Sequence, residues 1–86
     1  MTIIFSKNAW HDYTSWLNED KKVLRKINEL IKDIQRTPFA GKGKPEPLKY
    51  DLAGYWSRRI THDHRLVYKY ENESIFVISC RYHYEK

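Results

Sequence analysis

At 86 residues the chain is sized for one domain with a modest core. Hydrophobic residues at 41% and charged residues at 31% exclude a disordered chain; the net charge of +5 favours polyanionic partners, nucleic acid or an acidic protein. The single Cys80 excludes an internal disulfide, and no apolar run is long enough to span a membrane. With no leader-like segment before the first strand-like run, the expected location is the cytoplasm, without a membrane partner.

Thr2 to Phe5 is β-rich, and Ser6 is placed to cap a helix in which Ala9, Tyr13, Trp16 and Leu17 form the expected core stripe. Asn18-Glu19-Asp20 reads as a break and a new helix start. Val23, Ile27, Leu30 and Ile34 then recur at helical spacing, flanked by Leu24 and Ile31, until Thr37-Pro38 stops the helix. From Pro38 to Gly54 all three prolines and all three glycines occur without periodicity, which predicts a long loop stiffened around Glu46 by Pro45 and Pro47. Leu48 and Leu52 are its expected anchors. Tyr55 to Ile60, Arg65 to Tyr70 and Ile75 to Tyr82 read as strands joined by hairpin-length turns. The expected class is α+β, in the order β-α-α-β-β-β, with two helices on one face of a mainly antiparallel sheet.

Strict alternation puts Trp56, Ile60, Leu66, Tyr68, Tyr70, Phe76, Ile78 and Cys80 under the helices. It gathers Arg59, Arg65, Arg81 and His83 on the open face. Arg58 shares parity with Trp56 and is expected to snorkel to water from the sheet edge. Like charges grouped on one face repel, and arginine's planar fork suits phosphate oxygens, so the face predicts binding to nucleic acid or phosphate ahead of a paired structural cluster or an acidic protein partner.

Cleaving RNA with side chains alone needs a base for the ribose 2′-OH, an acid for the 5′-oxygen and cations for the phosphate. Glu46 is a candidate base, His83 a candidate acid and Arg65 the central candidate for the phosphate, with Arg59, Arg81 and Lys49 around it. A non-catalytic basic module binding RNA or the ribosome would need the same arginines without Glu46 or His83, and these residues leave both readings open. No cofactor is expected. The turn Thr61-His62-Asp63-His64 is read as a solvated hairpin rather than a metal site.

The segments TPFAGKGKPEPLK, YWSRRIT, HRLVY and the ending RYHY, set in a likeness over nearly the whole chain, resemble the YoeB/Txe group of bacterial toxin–antitoxin toxins, relatives of RelE. The resemblance implies a microbial-ribonuclease-like fold and a ribosome-dependent mRNA interferase cutting in the ribosomal A site. It implies Glu46 as general base, His83 as general acid and Arg65 as transition-state stabiliser, with Lys49, Arg59 and Tyr84 at the same site. It also implies contacts with rRNA through the basic surface, a cognate antitoxin, and operator DNA bound only through the antitoxin complex. Related toxins can be dimeric, so a homodimer is among the expected assemblies. Glu85 and Lys86 extend past the RYHY ending and are expected to lie in solvent.

Overall fold

The computed structural model describes residues 1–82, so His83, Tyr84 and the Glu85-Lys86 tail lie outside the described residues. Strand β1 (Thr2–Phe5) leads into helix α1 (Lys7–Glu19), where the Ser6 hydroxyl accepts the Ala9 N–H at 3.0 Å. Asp20 serves both helices. Its N–H closes α1 on the Trp16 carbonyl at 2.9 Å, and its carboxylate accepts the Lys22 and Val23 N–H groups that open α2 (Lys21–Arg36). One side chain thereby satisfies two otherwise orphaned donors, which is why so short a link suffices.

Strands β2 (Glu46–Pro47), β3 (Trp56–Arg59), β4 (Arg65–Glu71) and β5 (Ser74–Ser79) complete a five-stranded sheet in the order β1-β5-β4-β3-β2. Only the β1–β5 pairing is parallel. The α+β class and the helix–sheet arrangement agree with the sequence reading. The two-residue β2, inside the segment expected to be loop, does not. It forms at an edge of the sheet, where Pro47 has no ladder donor to lose. Between β4 and β5 the turn residues Asn72 and Glu73 both take positive φ, 51° and 56°, as a tight two-residue hairpin turn demands.

Ile27, Leu30 and Ile34 of α2 and Ala9 and Trp16 of α1 pack on Leu66, Tyr68, Ile75 and Val77 of the sheet. The core holds three corrections, and the extent of the last strand is a further one. Leu17 is 50% exposed, because the buried stripe of α1 is narrower than its spacing suggested. Phe76 and Ile78 lie outside the buried core; Ile75 and Val77 hold those places. The cause is a bulge: Tyr68 pairs with Val77 but Val67 pairs with Ser79, so Ile78 is an extra residue and parity changes beyond it. Cys80 still reaches the core. The last strand also stops at Ser79 rather than running to Tyr82.

Arg58 is the third correction. It is fully buried, not snorkelling, and all five of its N–H donors are used. Nε donates to the Tyr68 hydroxyl at 3.1 Å; Nη1 donates to Asp33 Oδ2 at 2.7 Å and the Lys42 carbonyl at 3.1 Å. Nη2 donates to the carbonyls of Thr37 at 2.6 Å and Ala40 at 2.7 Å. Tyr68 in turn donates to the Pro38 carbonyl at 2.6 Å, and Asp33 Oδ2 accepts the Lys42 N–H at 2.9 Å. The chain from Thr37 to Lys42 is thus wrapped around one guanidinium. Gly41 (φ 113°) and Gly43 (φ 81°) are required by this wrapping: a Cβ on Gly41 would collide with the Asp33 carboxylate, and one on Gly43 would lie 2.9 Å from Leu30 Cδ2.

Candidate active site

The loop that leaves the Arg58 clamp delivers Glu46. Gly43 accepts the Arg59 N–H on its carbonyl at 2.6 Å, and two residues past Lys44 the chain enters β2. Glu46 pairs with Ser57, and Ser57 pairs with Val67, so these side chains share a row on the face away from the helices. Arg59 and Arg65 are direct cross-strand partners two residues along on that same face. By sheet spacings the Glu46 and Arg65 α-carbons are roughly 12 Å apart, a gap that the two side chains can close around a phosphodiester. Glu46 and Arg59 are exposed; Arg65 is half-buried.

Arg65 is oriented from behind. Its Nη1 donates to the carbonyls of Thr61 at 3.1 Å, His62 at 3.3 Å and His64 at 3.3 Å. Among the described residues no carboxylate pairs with Arg59 or Arg65, although Arg36, Arg58 and Arg81 each have one. Two like charges set opposite each other across a strand pair destabilise the sheet. An anion bound between them would relieve that.

Lys49 is exposed and follows Leu48, which is buried and whose N–H donates to the Tyr55 carbonyl at 2.9 Å. The Lys49 carbonyl accepts the Leu52 N–H at 3.0 Å in a single 3-10 turn, Tyr50–Leu52. Lys69 sits on the same face beyond Val67, its Nζ 5.2 Å from the Tyr55 ring centre and 5.8 Å from that of Phe76.

Arg81 is not on the open face, as strict alternation required. The strand ends at Ser79, so alternation no longer governs this side chain, and it lies against α1. There Nη2 donates to both Glu19 carboxylate oxygens at 2.9 and 2.8 Å, Nη1 donates to Ser15 Oγ at 3.0 Å, and the guanidinium lies 4.2 Å from the Trp16 ring centre. The hydrogen bond to Glu19, followed by that to Tyr82, raises its pKa further. The 61–64 turn is also more than a solvated hairpin: His64 is half-buried, edge-on to Trp16, and its Nδ1 accepts the Tyr82 N–H at 2.6 Å. Among the described residues no cluster of three or more His, Cys, Asp or Glu could hold a metal ion.

Glu46, Arg59 and Arg65 are therefore brought to one face, Lys49 follows Glu46 on the same loop, and His83 and Tyr84 lie outside the described residues. Arg58 and Asp33 were missed as a buried pair, while Tyr68 was expected in the core but not as their hydrogen-bond partner. Their signal was present: Asp33 adjoins the apolar stripe of α2, and Arg58 has core parity, so each charge answers the other.

The model for the YoeB-like toxin of bacterial type II toxin–antitoxin systems matches residues 5–84. Toxin YoeB of Escherichia coli K12 is 58% identical over 84 residues, covering 98% of this chain and all of that one. A YoeB/ParE toxin from Agrobacterium tumefaciens superposes with a TM-score of 0.95 at 51% identity, over 98% of this chain and all of the other. The Staphylococcus aureus YoeB matches both in a heterotetrameric YoeB–YefM complex (TM-score 0.91) and as a dimer (TM-score 0.92), at 50% identity and 98% coverage of each chain. With the family match, the sequence identity and the superposition all extending over nearly the whole chain, it belongs to the YoeB-like toxins of bacterial type II toxin–antitoxin systems.

Proposed function

We propose that the protein is a ribosome-dependent endoribonuclease that cuts mRNA in the ribosomal A site of the cytoplasm. The observation that carries this reading is the pair of arginines, Arg59 and Arg65, without carboxylate partners among the described residues and facing each other beside Glu46 on one open sheet face. Glu46 takes the proton from the ribose 2′-OH, and the 2′-oxygen attacks the adjacent phosphorus. Arg65 neutralises the charge that grows on the equatorial oxygens, while its bonded Nη1 keeps the side chain from having to reorganise. His83 protonates the departing 5′-oxygen as general acid. The products are a 2′,3′-cyclic phosphate, or the 3′-phosphate from its hydrolysis, and a 5′-hydroxyl.

Lys49 and Arg59 hold the backbone of the mRNA, and Tyr84 supports the acid. Arg81, held by Glu19, fixes the end of the chain instead of meeting substrate. Weak activity on free RNA follows if the ribosome supplies the substrate geometry. The YoeB–YefM complex and the YoeB dimer of Staphylococcus aureus support a cognate antitoxin as partner and a homodimer as the free form. Operator DNA would be met only through the antitoxin complex.

Incubation with programmed ribosomes, followed by mapping of RNA ends, tests the reading. A-site cuts with 5′-hydroxyl and cyclic or 3′-phosphate ends are expected. No cut, or cuts leaving a 3′-hydroxyl, would remove it.

A further inference from the structure

Beyond β5 every residue of the described chain is tied down, although chain ends are usually loose. The Cys80 N–H donates to Asp12 Oδ2 at 3.0 Å, and its carbonyl accepts the Trp16 indole N–H at 3.0 Å. Arg81 is locked to α1 through Glu19 and Ser15. Tyr82 takes a positive φ of 62°, which a tyrosine adopts only when its surroundings impose it.

Both backbone groups of Tyr82 are engaged by consecutive residues. Its N–H donates to His64 Nδ1 at 2.6 Å, and its carbonyl accepts the Arg65 N–H at 3.1 Å. The His64 ring is gripped in turn, its centre 4.8 Å from Trp16 at 81° and 5.1 Å from Tyr82 at 48°. Packing alone would not care which ring nitrogen faces Tyr82. An accepting Nδ1 does: it must carry no proton, so the neutral ring keeps its hydrogen on Nε2.

We infer that His64 is a positioning residue for the cleavage reaction, its Nδ1 bond fixing the backbone of Tyr82, the residue that immediately precedes His83 in the sequence. The inference rests on the ribonuclease reading above. It ties acid and phosphate contact into one unit, because the dipeptide that holds Tyr82 is the one that presents the Arg65 side chain. A role in geometry predicts a loss in turnover rather than in ribosome affinity.

Asparagine carries its Oδ1 on the same carbon as the Nδ1 it would replace, whereas glutamine sets its oxygen one bond further out. Single-turnover cleavage on programmed ribosomes is therefore compared for the wild type, His64→Ala, His64→Asn and His64→Gln, with ribosome affinity and thermal midpoint measured for each. His64→Ala and His64→Gln are expected to lose roughly 10- to 100-fold in rate at unchanged affinity, with His64→Asn recovering most of it. Equal rates for His64→Ala and the wild type, or for His64→Asn and His64→Ala, would overturn the inference while leaving the ribonuclease reading in place. A wild type that leaves ribosome-bound mRNA uncut removes that reading and this role together. Nitrogen-15 spectra of the wild type give a readout independent of activity. They should show His64 Nδ1 unprotonated at about pH 8 and coupled to the Tyr82 amide; a proton on Nδ1 there overturns the assignment.

Discussion

Arg59 and Arg65 face each other across β3 and β4 at a cost to the sheet, and a phosphate bound between them would remove that cost. Arg59→Ala should therefore raise stability slightly, on the order of 0.5 kcal/mol in a urea titration, while weakening RNA binding. A drop in both would place Arg59 among structural residues. Cys80 is the opposite kind of residue, a reactive group kept silent. Burial, reinforced by the Asp12 charge, pushes its thiol up to about 12, so almost no thiolate exists near neutral pH. Iodoacetamide should leave the folded protein unmodified at about pH 8 and label it fully in denaturant. Rapid labelling of the folded chain would contradict the burial of this side chain.

At the scale of elements, the loop carrying Glu46 has its shape because α2 and β3 share a buried ion pair. Arg58→Ala would strand the Asp33 carboxylate and three carbonyls without their donor, costing about 3–5 kcal/mol by denaturant unfolding. The Lys42 N–H, and then Arg58, hold the Asp33 carboxyl below its ordinary value of 3.8. A group lowered on folding stabilises fully above its unfolded pKa and loses that contribution as pH falls through the folded one. Thermal midpoints should thus be flat in this respect above about pH 4 and fall below it, and Asp33→Asn should be less stable near neutrality but lack this acid limb. An unchanged limb in that variant would assign it to other carboxylates.

This clamp also shows what could be read from the sequence. Helix faces, the Ser6 and Asp20 caps and the parity of Trp56, Leu66 and Tyr68 were legible, because each follows from period and short-range chemistry. So was the placement of Arg59 and Arg65 on one face, which needs only correct alternation in β3 and β4, whereas Glu46 joins that face through β2, a strand not expected from the sequence. Failures arose where a partner distant in sequence decides. A buried arginine makes sense only once Asp33 and three loop carbonyls stand around it, and neither the bulge at Ile78 nor the end of β5 at Ser79, after which Arg81 meets α1, leaves a local mark.

At the scale of the whole molecule, 16 Lys and Arg against 11 Asp and Glu leave a surplus of positive charge that draws the protein to polyanions. Ribosome affinity should fall steeply with salt, and Arg59→Ala should flatten the log–log slope by about one counterion. Attraction alone does not cut RNA, and the central claim is that Arg65 acts on the transition state rather than on binding. Single-turnover cleavage and ribosome affinity of Arg65→Ala, measured side by side, test it most directly. The predicted result is a rate lower by roughly 100- to 1000-fold with affinity within a few-fold of the wild type. Equal losses in rate and affinity would contradict it.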